Sequence, residues 1–259
     1  MTSPHPTELR DLAETVARAT GAIHRRHAGE RLDAATKSSP TDPATIVDTE
    51  SEALLLELLL GARPDDAVVG EEGANRPGTS GVRWILDPLD GTVNYLYGLR
   101  ASSISVAAEL DGVVVAGAVH DPTHDECFTA ALGHGAHVDG RPLAPDRPGD
   151  LARCLVGTGF SYAADVRATQ AEVLVRVLPA VRDIRRIGSA ALDLCWAAAG
   201  RLDAYYERHL NEWDRAAGAL IAREAGLAVV GSTGGAPDEL TLAAPPDLVD
   251  PLRRLVVDA

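Results

Sequence analysis

Apolar residues recur at helical spacing near the start of the chain: Leu9, Leu12, Ala13, Val16, Ala17 and Ile23 form one stripe. They predict a helix over Thr7–Arg26, ended by Gly29. Lys37-Ser38-Ser39-Pro40 and Thr41-Asp42-Pro43 then read as loop. A second helix is expected over Thr49–Leu60. Asp48 stands just before it, and Glu50 and Glu52 occupy its first turn, where the helix dipole favours negative charge. Ala67–Gly70 reads as a short strand. Trp84-Ile85-Leu86 reads as the end of a buried strand. Asp87-Pro88 should stop that strand, because proline cannot donate to a sheet ladder. Ile104–Leu110, a turn at Asp111-Gly112 and Val113–Val119 predict a hairpin. Glu126–Ala131 and Gly135–Asp139 extend this antiparallel region.

Arg141–Asp150, rich in Pro, Asp and Arg, marks the expected boundary between an N-terminal part, 1–150, and a C-terminal part, 151–259. Beyond it come strand Cys154–Gly157, helix Ala168–Leu178, strand Asp183–Ile187, helix Ala190–Ala199 and strand Ala204–Tyr206. Helix Trp213–Ala225, strands Leu227–Val230 and Leu240–Ala243, and helix Leu248–Val256 follow. Such alternation argues an α/β arrangement joined to an α+β first half. No internal repeat is visible. Gly231–Gly235 lacks phosphate-loop spacing and reads as a turn.

The chemistry stands at the ends of these elements. Asp87 and Asp90 lie three residues apart on a stiff Asp-Pro-Leu-Asp-Gly turn. Two close carboxylates repel and are tolerated when they share a proton or a cation. Hard oxygen ligands suit Mg²⁺, whereas a solvated turn is the plainer alternative. Gly91 allows close backbone approach, and Thr92 supplies a hydroxyl. Asp48, Glu71-Glu72 and Asp214 are further acidic groups at element ends. Locally, Asp48 reads equally as a helix cap or a site acid, whereas Asp214 at a helix start reads first as a cap or dipole partner. Ala216-Ala217-Gly218 behind Asp214 implies close packing. His120/His124 and His134/His137 lack a third-ligand pattern and read as solvated loop histidines.

Composition narrows the partners. The 259 residues carry 24 basic and 38 acidic side chains, a formal charge of -14, which disfavours nucleic acid and anionic membrane. An anionic substrate would therefore need local positive charge, which a bound metal supplies. Cys127, Cys154 and Cys195 are sparse and odd in number, fitting core thiols in a reducing compartment. With no signal-peptide pattern and no membrane-length apolar run, a soluble cytoplasmic protein is expected.

Asp87-Pro88-Leu89-Asp90-Gly91-Thr92 and Trp213-Asp214-Arg215-Ala216-Ala217-Gly218 together resemble the two signatures of the inositol monophosphatase family, Mg²⁺-dependent and lithium-sensitive phosphatases. Gly70-Glu71-Glu72, Lys37-Ser38-Ser39-Pro40 with Asp48, Arg186–Ala191 and Asp203–Glu207 match further segments in order. The resemblance spans roughly residues 8–245. It implies a layered α-β-α-β-α sandwich and a homodimer. It implies that Glu71, Asp87 and the Leu89 carbonyl hold one Mg²⁺, and Asp87, Asp90 and Asp214 a second. A third, hydrated ion would sit near Glu71. Thr92 and Asp48, with Glu71, would prepare the attacking water. Gly91 and Thr92 N–H groups would receive phosphate. Gly188, Ser189, Ala190, Glu207 and Asp214 would face the substrate, and Lys37 would lie near the entrance.

The resemblance implies a small sugar or polyol phosphate as substrate, first of all inositol 1-phosphate, since a carboxylate at Glu207 can accept polyol hydroxyls. Histidinol phosphate, fructose 1,6-bisphosphate and adenosine 3′,5′-bisphosphate are the alternatives. A bisphosphate would need basic groups such as Arg185 and Arg186. A regulatory binding protein on the same fold is the non-enzymatic alternative.

Overall fold

The computed structural model describes residues 4–32, 34–36, 43–145, 148–231 and 240–257. The expected loop at Lys37–Asp42, and most of the Gly231–Gly235 turn, lie outside the described residues. Helix α1 (Pro6–His27) precedes a small ladder of β1 (Ala35–Thr36) and β2 (Pro43–Ala44), then helix α2 (Ile46–Ala62). Strands β3 (Ala67–Gly70), β4 (Asn75–Arg76) and β5 (Val82–Asp90) lead to the short helix α3 (Thr92–Leu96). Strands β6 (Ser103–Leu110), β7 (Val113–Asp121), β8 (Glu126–Ala131), β9 (Ala136–Val138) and β10 (Arg141–Pro142) follow. The remainder is β11 (Leu155–Thr158), α4 (Ala164–Val177), β12 (Asp183–Arg185), α5 (Ala190–Ala198) and β13 (Ala204–Glu207), then α6 (Glu212–Glu224), β14 (Ala228–Val230), β15 (Thr241–Ala244) and α7 (Val249–Val257).

The first sheet has eight strands in the order β10-β9-β8-β7-β6-β5-β3-β4, antiparallel except for β3 beside β5. The second has five, β12-β11-β13-β15-β14, with β11 parallel to both its neighbours. Alternation along the strands sorts the core into layers. Trp84 and Leu86 pack outward with Leu9, Val16, Leu55 and Leu59 of α1 and α2. Ile85, Val119 and Phe128 pack inward with α5 and α6, whose other side meets Tyr205 and Ala243 of the second sheet. Val156, Tyr206 and Leu242 then cover α4 and α7 through Val177, Leu252 and Val256. The result is the α-β-α-β-α sandwich.

Small residues let the middle layer close up. A Cβ on Gly117 of β7 would lie 3.0 Å from Ala217 Cα, and one on Gly218 would lie 2.8 Å from Leu194 Cβ. The close packing read from Ala216-Ala217-Gly218 is therefore α6 against β7 on one side and α5 on the other. Arg83 of β5 fastens the start of α6. Its guanidinium donates to Glu109 at 2.9 and 3.0 Å and to Glu212 at 2.8 and 3.0 Å. Trp84 is fully buried, and its indole N–H donates to Asp66 at 2.8 Å.

Three local expectations need correction. The strand does not stop at Asp87-Pro88. It continues to Asp90 through a register shift, with Asp87 opposite Ser105 and Asp90 opposite Ser103. One extra residue on β5 makes a bulge, and β3 pairs only as far as Leu86, so no partner needs a proton from Pro88. Helix α2 begins three residues earlier than its acidic first turn suggested, because Thr45 caps it and Asp48 is the reciprocal partner. His120 is no loop histidine: it is buried on β7 against Gly21 of α1, and its Nδ1 bonds the Glu126 carbonyl at 3.1 Å. The three cysteines are free and buried, as their sparseness implied. Among the described residues no helix is long and apolar enough to cross a membrane.

Candidate active site

The bulge in β5 aims the site. Asp87 is buried, and its Oδ1 accepts the Leu89 N–H at 3.0 Å, which folds the chain back over Pro88. The Pro88 carbonyl accepts from His24 Nε2 at 2.9 Å, so α1 braces the turn from behind. Asp90 Oδ2 accepts the Ser189 hydroxyl at 2.6 Å and the Ala191 N–H at 2.8 Å. That contact joins the end of the first sheet to the start of α5. Gly91 follows with φ +90°, and a Cβ there would lie 2.9 Å from the Ala101 carbonyl oxygen, so both backbone and space demand glycine. Asn94 secures the far side by donating to the Ala101 and Ile187 carbonyls at 2.7 and 2.8 Å.

Thr92 opens α3, and its hydroxyl lies 3.1 Å from Asp48 Oδ1 and 3.0 Å from the Leu89 carbonyl oxygen. One proton is shared between two acceptors, and Leu89 keeps a second lone pair. Asp48 is fully buried, its Oδ2 accepting the Thr45 N–H at 2.7 Å and the Thr45 hydroxyl at 2.6 Å. Its cap role and its contact with Thr92 are thus carried by different oxygens.

A cavity of about 380 Å³ opens over this turn. Every described residue expected at the site lines it except Asp48 and Ser189. Asp48 stands behind Thr92. Ser189, expected to face substrate, is buried and spends its hydroxyl on Asp90. Glu71 enters from the end of β3, Glu207 from the end of β13 and Asp214 from the first turn of α6, where its Oδ2 accepts the Asn211 N–H at 2.6 Å. Of the two arginines weighed for a second phosphate, Arg186 lines the cavity, whereas Arg185 turns to Asp183 at 2.6 Å. Lys37 lies outside the described residues.

Two bordering segments escaped the sequence reading. Phe160–Ala163 has no periodicity to reveal it. Arg208–Asn211 had one available signal: a short link between two site acids, Glu207 and Asp214, has to border the cavity. His209 in that link holds φ +66°, uncommon for a side chain with a Cβ.

Burial and crowding set the electrostatics. Asp87 is pushed well above the usual carboxylate range, first by burial, then by Glu71, Asp90 and Asp214. Asp214 is raised likewise, by burial and then Asp90 and Glu71. Asp90 rises to about 6 through burial, opposed by its bonds from Ser189 and Ala191. Glu207 rises to about 7, again through burial, with Tyr205 and Arg186 opposing. Among the described residues, no three His, Cys, Asp or Glu side chains stand close enough to grip one ion as they are. The donors are nonetheless all oxygen, crowded and acidic, and they outnumber the arginines lining the cavity, Arg186 and Arg208. Such a set fits hard dications, which bind oxygen and offset this repulsion.

A sequence model described as the inositol monophosphatase family matches residues 5–255. The chain is 48% identical over 271 residues to an inositol-1-monophosphatase of Mycobacterium leprae, covering 95% of this chain and 92% of that protein. It is 38% identical over 228 residues to a Nus factor SuhB of Pasteurella multocida, covering 87% and 85%. The fold superimposes on the solved structure of Mycobacterium tuberculosis SuhB with a TM-score of 0.85 at 44% identity, covering 97% of this chain and 96% of that one.

Proposed function

The chain belongs to the inositol monophosphatase family, a family of phosphatases, and from that premise we propose a Mg²⁺-dependent phosphomonoesterase whose substrate is inositol 1-phosphate, cleaved to myo-inositol and phosphate. The observation that carries this reading is convergence: Glu71, Asp87, Asp90 and Asp214, from three distant stretches, face one cavity beside the bonded Thr92–Asp48 pair.

In this reading Glu71, Asp87 and the Leu89 carbonyl would hold one Mg²⁺, and Asp87, Asp90 and Asp214 would hold a second; a third, hydrated ion would belong near Glu71. When bound, the ions supply positive charge that acidifies water and offsets charge on the phosphoryl and leaving oxygens. The chain's own groups do the positioning. Asp48, anchored through Thr45, accepts the Thr92 proton and so turns the Thr92 oxygen towards a water, which it orients and helps deprotonate. Backbone N–H groups of Gly91 and Thr92 receive phosphate. Gly188 and Ala190 shape the wall beside the leaving alcohol, and Glu207 accepts its hydroxyls. Ser189 acts one step back, by fixing Asp90.

The test is phosphate release with and without Mg²⁺ from inositol 1-phosphate, histidinol phosphate, fructose 1,6-bisphosphate and adenosine 3′,5′-bisphosphate, compared as kcat/KM. Inositol 1-phosphate should lead. With Arg186 alone of the two weighed arginines at the cavity, both bisphosphates should trail. A second reading is a regulatory role on the same fold, raised by the Pasteurella relative being named a Nus factor. Absence of Mg²⁺-dependent release from all four esters would select it.

The raised carboxyls give a second prediction. Buried His24 and His120, both shifted down, are neutral in the native protein with or without metal, so they cancel when the two are compared at one pH. Asp87, Asp214 and Glu207 hold protons in the metal-free native protein above the ordinary carboxylate range, so each contributes stability that is lost as pH rises through its folded value, about 7 for Glu207. Metal binding at Asp87 and Asp214 would have to displace their protons. The rise in Tm given by saturating Mg²⁺ should therefore be larger at about pH 8 than at about pH 6.5, by calorimetry. An equal or smaller rise at the higher pH would mean that Asp87 and Asp214 are not the ligands.

A further inference from the structure

Glu207 is held by a neighbour that no part of the mechanism has yet used. Tyr205 stands two residues earlier on β13, fully buried between the second sheet and α5. Residues two apart on a strand project to the same face. Its hydroxyl donates to Glu207 Oε2 at 2.5 Å, a short, charge-assisted bond. Burial raises the phenol well above its ordinary pKa, so it remains a donor throughout the working range. Gly159 closes on the same carboxylate: a Cβ there would collide with both Oε1 and Oε2. Gly159 and Glu207 both line the catalytic cavity, whereas Tyr205 does not.

A carboxylate on a flexible side chain can ordinarily rotate and offer either oxygen. Here Oε2 is committed to Tyr205, and the bare Gly159 backbone leaves one slot for the head group. Among the described residues, Tyr205 is the hydrogen-bond donor to Glu207, and it uses only Oε2. That leaves Oε1 with its orientation fixed.

We propose that Tyr205 is a positioning residue that, with Gly159, locks Glu207 so that Oε1 alone reads a hydroxyl of the leaving alcohol. This rests on the phosphatase reading above. The lock makes Glu207 a selector for esters whose alcohol carries a donor at one defined place. Esters without such a group gain nothing from it.

The experiment compares kcat/KM for inositol 1-phosphate and for p-nitrophenyl phosphate, which has no hydroxyl for Glu207 to read. Wild type, Glu207→Gln, Tyr205→Phe, Gly159→Ala and the Glu207→Gln/Tyr205→Phe double variant are measured. Tyr205→Phe should lower the inositol-to-aryl ratio about tenfold, through KM more than kcat, the scale of one charge-assisted hydrogen bond. Gly159→Ala should lower the ratio in the same sense by displacing the carboxylate, since the added Cβ would overlap it. Adding Tyr205→Phe to Glu207→Gln should bring no further drop, because the two act as one unit. A purely structural role for Tyr205 would depress both substrates alike and would multiply with Glu207→Gln; either result overturns the proposal. An unchanged ratio in Tyr205→Phe and Gly159→Ala, with a lowered one in Glu207→Gln, also overturns it and leaves the phosphatase reading standing. Failure of the wild type to release phosphate from either ester would remove that reading and the proposal with it.

Discussion

Asp90→Asn is expected to lower Mg²⁺-dependent phosphate release by about three orders of magnitude, the scale of removing a charge stabiliser from a transition state. It should leave the metal-free protein at least as stable as wild type. Both outcomes follow from one contact set. The introduced amide keeps a carbonyl oxygen that can accept from Ser189 Oγ and the Ala191 N–H, so the junction between β5 and α5 stays bonded. The substitution removes the negative charge that crowds Asp214 and Asp87. Without metal that loss relieves repulsion; with metal it removes a ligand charge. Calorimetry of the metal-free proteins at about pH 8, beside phosphate release at saturating Mg²⁺, gives both readings. Near-normal turnover would place Asp90 outside the ion site, and a collapse in Tm would make it merely structural.

Thr92→Val is the second large effect and separates chemistry from metal binding. The hydroxyl lies 3.1 Å from Asp48 and links that buried acid to the cavity wall. Removing it should cut kcat by about 10² to 10⁴, the range for losing general acid–base assistance. The Mg²⁺ concentration for half-maximal activity should barely move, since the variant keeps the Leu89 carbonyl and all four ligand carboxyls. The stability cost is about 1–3 kcal/mol, because Asp48 Oδ1 loses that donor in a buried place. A variant that needs far more Mg²⁺ but turns over normally at saturation would assign Thr92 to the ion site instead.

Local chemistry made the acids visible as candidates, and the resemblance of several motifs in order made them one expected site. Asp87, Asp90 and Gly91 announce a stiff acidic turn by their own chemistry. Asp214 announces a helix start. What sequence could not supply was the path between them. Pro88 argued for a strand end, since a missing N–H is a local fact. Its tolerance is not, because it depends on β3 ending at Gly70 and on the bulge opposite Ser103–Ser105. His120 looked like a turn residue until Gly21 of α1 proved to lie against its ring. Ser189 sat in the right motif, but its hydroxyl direction was fixed by Asp90, a partner 99 residues away. Phe160–Ala163 owes its place at the cavity to the layering of the two sheets and to nothing in its own composition.

The margins of the larger sheet carry a last consequence. Its outermost strands, β4 and β10, are two residues long, Asn75-Arg76 and Arg141-Pro142, and solvent-facing. Each offers too few free amide groups for a passing chain to zip onto, and each sets a cationic or proline side chain in the way. Eight strands can therefore be carried by an acidic chain without inviting edge-to-edge polymerisation into fibrils.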